Sequence, residues 1–259
     1  NPFLGSVFTF TTLLIAIPSA VKVFNYLTTL WKGNIVFSPA TLFSVGLVST
    51  FISGGVTGLV LGNSALDINV HDTYFVIGHF HIVMGLSAIF GMFAGVYHWF
   101  PKLFGRMMNN KLGNLHFWFT IICAYGIFFP MHFLGFAGVP RRYYTNSEFP
   151  MFDEMVNINE FISIFAIIAM FAQLIFFFNF VYSALRGPKA PMNPWKSNSL
   201  EWTTPVEHIH GNWYGEIPTV YRWPYDYSKI DRNGDYIYGE DFIPQTKPLG
   251  DNEKDGGEH

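Results

Sequence analysis

Two histidines, His79 and His81, are the residues of this chain whose types and spacing most clearly indicate chemistry. They lie in a long apolar run from Tyr74 to Phe100, and an imidazole at membrane depth is costly enough to indicate a function. Residues at positions i and i+2 of a helix point about 200° apart, so the two rings cannot bind one metal ion together. The spacing therefore predicts that each histidine binds its own partner, on opposite sides of one helix.

Haem is the cofactor that fits this spacing best. Zinc is a poor fit, because no cysteine or carboxylate lies within a helical turn of either histidine. Haem iron needs only one or two axial ligands from the protein, and haem fits between helices. Two irons bound by His79 and His81 would lie roughly 10–15 Å apart, given the helix radius and the reach of an imidazole. The alternative is that both are structural, as a lone buried histidine usually is.

His71 and Asp72 stand side by side at the start of the same apolar run. Asp72 suits the N-cap of the following helix, where its carboxylate would accept from the helix amides. The pair also suits a hard cation such as magnesium, which keeps several waters and needs few protein ligands. Both interpretations stay open from the residues alone.

Arg141 and Arg142 follow the fourth apolar stretch of the chain. A guanidinium binds a carboxylate through two parallel hydrogen bonds, and haem carries two carboxylates. The pair is therefore predicted to bind an anion, with haem propionates as the candidates. The alternative is an interfacial anchor beside Tyr143 and Tyr144.

Lys22 is the titratable residue of the first apolar stretch. Thr12, Ser19 and Lys22 lie within about 80° on one helical face, and Pro18 frees the carbonyl of Leu14 from its helical hydrogen bond. A polar stripe leading inward from a titratable group is typical of a proton relay. The alternative is that Lys22 extends to the membrane interface with no further role.

Composition places these residues in a membrane protein. Half of the 259 residues are hydrophobic and 13% are charged, whereas about a quarter are charged in an ordinary soluble domain. Crossing a bilayer takes about 20 residues, and five apolar stretches are long enough. We therefore predict an all-α membrane protein with an extended polar tail over residues 186–259 and five transmembrane helices over residues 3–30, 41–61, 74–100, 115–136 and 158–185.

Charge predicts orientation and excludes some functions. Lys32, the loop from Lys102 to Lys111 and the segment after Arg186 carry most of the basic residues, which places them and the tail in the cytoplasm. The net charge of −3 provides no basic patch for nucleic acid. The single cysteine, Cys123, excludes a disulfide framework within the chain.

Several motifs together resemble subunit I of the haem–copper oxidases, most of all the aa3-type cytochrome c oxidases. The resemblance covers about residues 1–186, and its motifs are Ile17-Pro-Ser-Ala-Val-Lys22, His71-Asp-Thr-Tyr74, His79-Phe-His81, Phe129-Pro-Met-His-Phe-Leu-Gly135 and Pro140-Arg-Arg-Tyr143. It implies that His79 binds the iron of haem a3 and that His81 is one of two ligands of haem a. It also implies magnesium at His71 and Asp72, haem propionates near Asp67, Arg141 and Arg142, and a proton pathway through Lys22, Ser19 and Thr12.

The resemblance implies a function that this chain cannot perform alone. The family subunit has twelve spans and this chain resembles the last five, so no residue matches the ligands of copper B. We expect it to be completed by the N-terminal part of subunit I, by subunit II with copper A and by subunit III. The whole would be a proton-pumping terminal oxidase of the bacterial plasma membrane that passes electrons from cytochrome c to oxygen. A quinol oxidase on the same scaffold, a non-enzymatic membrane cytochrome and a structural subunit without haem are the alternatives.

Overall fold

The structure is a computed structural model that describes residues 2–33, 35–145, 148–204, 212–213, 216–221, 223–224 and 245–246. Within these ranges the chain is mostly helical and has no β-strand; its extended pairings are two isolated bridges, Thr73 with Pro140 and Arg106 with Lys189. The predicted all-α membrane fold is confirmed. Most of the predicted tail beyond Thr204 lies outside the described residues.

Nine α-helices occur in the described ranges. They are α1 (Pro2–Leu14), α2 (Ala16–Leu30), α3 (Pro39–Gly62), α4 (Ser64–Val70), α5 (Tyr74–Phe80), α6 (Ser87–Phe104), α7 (Asn110–Phe128), α8 (Pro130–Phe136) and α9 (Val156–Arg186). A π-helix (His81–Leu86) joins α5 to α6, and two 3-10 helices cover Pro150–Met155 and Leu200–Trp202.

Five helical segments in the described part of the chain are long and apolar enough to cross a membrane, one for each predicted stretch. They are Pro2–Leu30, Pro39–Gly62, Tyr74–Phe104, Asn110–Phe136 and Pro150–Arg186. The largest difference from the prediction is at the start of the fifth, expected near residue 158. There a 3-10 turn, which contains Asp153 and Glu154, extends the helical segment to Pro150.

Side-chain caps explain where three of these helices begin. Ser38 accepts a hydrogen bond from Thr41 N (3.3 Å), and Pro39, at the first position of α3, needs no N–H partner. Asn109 accepts from two backbone amides at the start of α7. Thr73 accepts from Phe75 N (3.2 Å) and so fixes the start of the helix that carries the histidine pair.

The first span is two helices rather than one. α1 ends at Leu14 and α2 begins at Ala16, with Ile15 between them. The break occurs where Pro18, which has no N–H, leaves the carbonyl of Leu14 without its usual donor. Neither helix has a buried residue. Their side chains are therefore available to lipid or to another polypeptide.

Aromatic side chains form the centre where α3, α6 and α7 pack. Phe43 on α3 is completely buried. Its ring centroid lies between 5.0 and 5.7 Å from five others, those of Phe90, Phe93, Tyr97, His116 and Phe117. Ring pairs at this separation stabilise a core beyond the area that they bury. The three helices are therefore held in a fixed arrangement beside the histidine pair.

The described chain forms two compact units. One contains the described residues of 1–98 and 109–181, and the other contains those of 99–108 and of 182 onward. In the second unit the chain after α9 pairs with the segment after α6. Met107 N donates to Pro188 O and Ala190 N donates to Gly105 O, each at 2.9 Å.

Candidate functional site

The histidine pair lies where an α-helix changes into a π-helix. α5 ends at Phe80, and His81 begins the π-helix that continues to Leu86. Short π-helical segments widen the backbone turn and are frequent at functional sites. The two histidines therefore lie on either side of this transition.

His79 is held by α3. Its Nδ1 donates to the carbonyl oxygen of Gly54 at 2.9 Å and lies 3.1 Å from the hydroxyl oxygen of Thr57. Since a carbonyl oxygen only accepts, the proton of a neutral ring is on Nδ1. Nε2 then carries the lone pair that a metal needs, as in metal sites where a carbonyl fixes the tautomer of the ligand.

His81 is held by its own helix. Its Nδ1 donates to the carbonyl oxygen of Ile77 at 2.9 Å, so Nε2 is again the nitrogen left for a metal. Its ring stacks on Phe128 of α7, with centroids 4.8 Å apart and planes 11° apart. His79 thus lies against α3 and His81 against α7, as the i, i+2 spacing predicts. Their roles as iron ligands stay predictions.

Glycines of α3 bring its backbone against the histidine segment. A Cβ at Gly54 would lie 2.6 Å from Val83 N, and one at Gly58 would lie 2.9 Å from Cε1 of His79. Real Cβ atoms do not approach so closely, so only glycine fits at both positions. These glycines therefore pack α3 against the histidine segment, and the residues present fit the ligation of haem iron by an imidazole.

Asp72 and Arg141 form an ion pair at the start of the histidine helix. Arg141 donates to Oδ1 of Asp72 through Nε (2.8 Å) and Nη2 (2.5 Å). The backbone brings them together, because Arg141 N donates to Asp72 O at 2.9 Å and Thr73 forms a β-bridge with Pro140. The hydrogen bond from Arg141 lowers the pKa of Asp72 below its usual range, and the charges of Arg141, His71 and Arg142 lower it further. Asp72 is therefore a carboxylate at neutral pH.

The predicted magnesium ligands lie close together. Nε2 of His71 is 3.4 Å from Oδ2 of Asp72, the oxygen that faces away from Arg141, and Nδ1 of His71 is 3.9 Å from Oδ2 of Asp67. Within the described ranges, no group of three or more His, Cys, Asp or Glu is arranged to hold a metal ion. A cation bound by His71 and Asp72 would need waters or groups from elsewhere for its other ligands.

Backbone strain marks the same loops. Asp72 and Arg142 both have positive φ, 55° and 68°, a region that residues with a Cβ rarely adopt. Such strain persists only where the surroundings impose it, and it is concentrated at functional sites. Arg142 is exposed next to the Asp72–Arg141 pair, so its guanidinium is available to an anion.

Lys22, Ser19 and Thr12 are not joined by hydrogen bonds to one another within the described residues. Lys22 Nζ lies 5.1 Å above the ring of Tyr26, and Ser19 donates to the carbonyl oxygen of Ile15 at 3.1 Å. Thr12 is exposed, and its methyl group lies near Gly62. A proton path through them would need waters in the gaps.

Sequence reasoning missed Thr57, Phe128 and His116. The spacing Gly54-x-x-Thr57-Gly58 was a signal for the first, since it places a hydroxyl between two close-packing glycines. His116 is completely buried, and Tyr97 and Gln173 satisfy its two ring nitrogens at 3.2 and 3.1 Å. Its contacts are those of a structural residue, and its sequence neighbourhood gave no signal.

Known proteins resemble this chain in sequence and in fold. Residues 1–171 match the family described as Cytochrome C and Quinol oxidase polypeptide I. The alternative cytochrome c oxidase subunit 1 of Bradyrhizobium diazoefficiens is 46% identical over 249 residues, which cover 95% of this chain and 41% of that protein. The cytochrome c oxidase subunit 1 of Thermostichus vulcanus is 42% identical over 226 residues, which cover 87% of this chain and 40% of that protein.

A cryo-EM structure of a haem–copper terminal oxidase dimer has the same fold, with a TM-score of 0.63 and 19% identity. The match covers 74% of this chain and 38% of that one. The chain thus spans about two fifths of the length of the curated relatives that it matches. Because the family match covers 171 of 259 residues, this chain belongs to the family of cytochrome c and quinol oxidase polypeptide I, the subunit I of haem–copper oxidases.

Proposed function

We propose that this chain is the C-terminal, haem-binding part of subunit I of a proton-pumping terminal oxidase. His79 would bind the iron of haem a3, and His81 would be one of the protein ligands of haem a. When bound, the two haems and copper B would supply electron transfer from cytochrome c and the reduction of oxygen to water.

One observation carries the proposal. Two imidazoles two residues apart each donate through Nδ1 to a carbonyl oxygen, one on α3 and the other on their own helix. Each therefore keeps Nε2 for a metal, and the two rings lie against different neighbouring helices, His79 against α3 and His81 against α7. This arrangement supports two separate metal ligands and argues against one shared metal ion.

The loops at the start of α5 would bind the anionic side of the cofactors. Arg142 and Arg141 would bind haem propionates, near Asp67. The pairing of Arg141 with Asp72 would fix the position of this guanidinium, while Oδ2 of Asp72 and His71 would bind magnesium together with waters.

Lys22 would take up protons on the cytoplasmic side, with Ser19 and Thr12 further along the same path. The break between α1 and α2 supports this, because the carbonyl of Leu14, freed by Pro18, is an acceptor within the span. Waters would complete the path between these side chains.

The partners follow from the family resemblance and from the share of its relatives' length that this chain does not span. The N-terminal part of subunit I would supply the ligands of copper B and the second ligand of haem a. Subunit II with copper A, subunit III and cytochrome c would complete the enzyme in a bacterial plasma membrane, with the tail in the cytoplasm.

The test is to purify the membrane complex that contains this chain and to measure its spectrum and its oxygen uptake. We expect two haem signals in the reduced-minus-oxidised spectrum, and oxygen uptake driven by reduced cytochrome c. Uptake driven only by quinol would identify a quinol oxidase, which the family name also covers. Haem signals without oxygen uptake would identify a non-enzymatic cytochrome, and a complex without haem would overturn the proposal.

A further inference from the structure

Thr57 lies in a closed triangle of hydrogen-bonding atoms beside His79. The hydroxyl of Thr57 donates to the carbonyl oxygen of Gly54 at 2.8 Å, His79 Nδ1 lies 2.9 Å from the same oxygen, and Nδ1 lies 3.1 Å from the hydroxyl oxygen. All three distances fall within the range of real hydrogen bonds.

The protons of this triangle can be placed from the chemistry of its members. The Gly54 oxygen has no proton to donate, so the hydroxyl proton and the Nδ1 proton both point toward it. With its proton directed at Gly54, the hydroxyl of Thr57 presents a lone pair to Nδ1. The Nδ1–H of His79 therefore has two acceptors, one from the backbone and one from a side chain.

We propose that Thr57 is a positioning residue for the haem bound by His79, acting through the second acceptor on Nδ1. The inference rests on the proposed function, since it requires that His79 bind haem iron. Thr57 would hold the ring in one orientation and increase the electron density that Nε2 donates to the iron. It would act on this haem alone, because His81 donates to a carbonyl of its own helix.

Two features set Thr57 apart from an ordinary helical threonine. Such residues commonly donate to a carbonyl of the preceding turn, as Thr50 does on the same helix with Gly46 and Leu47. Thr50 also lies 3.2 Å from the hydroxyl of Ser87, which is not a histidine. The hydroxyl of Thr57 also lies within hydrogen-bond distance of a histidine 22 positions along the chain. In addition, Gly58 lets this histidine ring lie directly against the helix, which keeps Nδ1 near the hydroxyl.

Removing the Thr57 hydroxyl changes electron donation from His79 to iron in two opposing ways, and the larger change determines the direction. Replacing Thr57 with valine keeps the shape of the side chain and removes one complete acceptor from Nδ1–H. It also frees the Gly54 carbonyl from the hydroxyl, which alters the remaining hydrogen bond by only about 10–30%. The loss of the acceptor dominates, so His79 becomes a weaker electron donor to iron.

The experiment uses the whole oxidase complex with Thr57→Val and measures two properties of the bound haems. Resonance Raman spectroscopy gives the iron–histidine stretching frequency, and a spectroelectrochemical titration gives the midpoint potential of each haem. We expect a lower stretching frequency and a more positive potential for the haem at His79, with the haem at His81 unchanged.

Matched variants separate this role from a merely structural one. Thr57→Ser keeps the hydroxyl and should restore the wild-type values, whereas Thr57→Ala should shift them in the same direction as valine and serves if valine does not assemble. Thr50→Val removes a hydroxyl from the same helix without touching a histidine and should change neither property.

Unchanged values in Thr57→Val and Thr57→Ala with haem bound would overturn the role of Thr57. An equal shift in Thr50→Val would overturn it as well, because the effect would then belong to the whole helix. If the proposed function itself is wrong, the result is different: the wild-type complex contains no haem, or the His79→Ala variant retains both haems.

Discussion

The two histidines differ in what holds them. His79 donates to a carbonyl of α3, and His81 donates to the carbonyl of Ile77 in its own helix. A shift of α3 would therefore move the first ring and leave the second in place. This difference would allow two cofactors, if each histidine binds one, to be tuned separately.

Predictions from sequence about single residues succeeded where the geometry of one helix determines the direction of a side chain. The opposite directions of His79 and His81 follow from helical geometry alone. The pairing of Asp72 with Arg141 could not be foreseen, because 69 positions separate them and a two-residue bridge between loops brings them together. Thr57 lies between two close-packing glycines, which was a signal, but its contact with His79 depends on how two helices pack.

Lys22→Met is predicted to slow oxygen reduction roughly 100-fold or more, the usual contribution of a positioned proton-transfer group. Both haems should stay bound, because Lys22 is exposed and its Nζ lies over the ring of Tyr26 in its own helix. The measurement is oxygen uptake by the complex, with the haem spectrum recorded on the same sample.

Lys32→Met is the matched control for Lys22. Lys32 lies just beyond the end of α2, so its replacement removes a charge near the same membrane interface and should leave turnover unchanged. Wild-type turnover and proton uptake in Lys22→Met would remove Lys22 from the mechanism.

At the scale of elements, one face of α3 determines how closely the histidine segment can approach. A Cβ at Gly54 would meet the backbone of Val83 in the π-helix, and a Cβ at Gly58 would meet the ring of His79. Small residues four positions apart are the usual way in which membrane helices come into close contact. The contact here also carries the acceptors for His79.

Gly54→Ala is predicted to destabilise the complex by about 1–3 kcal/mol, the usual cost of an overpacked core position. The added methyl group would meet rigid backbone, so the helices must separate and His79 must lose its acceptor. The melting temperature and the haem content of the purified complex measure this effect.

Gly55→Ala provides the comparison, because a Cβ there has no atom within 4 Å among the described residues. It should melt as the wild type does and keep both haems. Equal stability of the two alanine variants would show that the close contact of α3 with the π-helix is not formed in the membrane.

The existence of the five spans was predictable from sequence. The breaks and π-helical turns within them were predictable only in part. Length and hydropathy are enough to identify five spans, and Pro18 indicated the break near Leu14. Nothing in the local sequence of His81–Leu86 indicates a π-helix, because its residues suit an ordinary helix. The wider turns of this segment occur where α3 packs against it, and sequence periodicity does not report such packing.

At the scale of the whole molecule, two basic residues that indicate the orientation in the membrane, Lys102 and Arg106, also bind the segment that follows α9. Within the second unit, Lys102 donates to the carbonyl oxygen of Thr204 at 2.6 Å and to its hydroxyl, and its Nζ lies 5.9 Å from the centroid of the Trp202 ring. Arg106 donates to the carbonyl oxygen of Gly187 at 2.6 Å. The segment 187–204 is therefore attached to the end of α6 through charged hydrogen bonds.

Lys102→Met is predicted to weaken the attachment of segment 187–204 by roughly 1–2 kcal/mol, because a charged hydrogen bond and a cation–π contact are lost. Chymotrypsin should then cleave within residues 187–204 about ten times faster, since 1.4 kcal/mol changes the open population tenfold. Mass spectrometry of the fragments locates the cleavage. Lys111→Met, which removes one positive charge at the start of α7, should cleave as the wild type does, and equal rates in both variants would contradict the attachment.

We propose above that His79 and His81 each bind a different haem. The most direct measurement is the number and type of haems in the intact complex after His79→Ala and after His81→Ala, by haemochrome assay and by reduced-minus-oxidised spectra. His98→Ala is the control, since His98 lies roughly 25 Å further along the same span. Two haems in the wild type and the control, with a different haem lost in each variant, would confirm the account. Two haems retained in both variants, or the same haem lost in both, would contradict it.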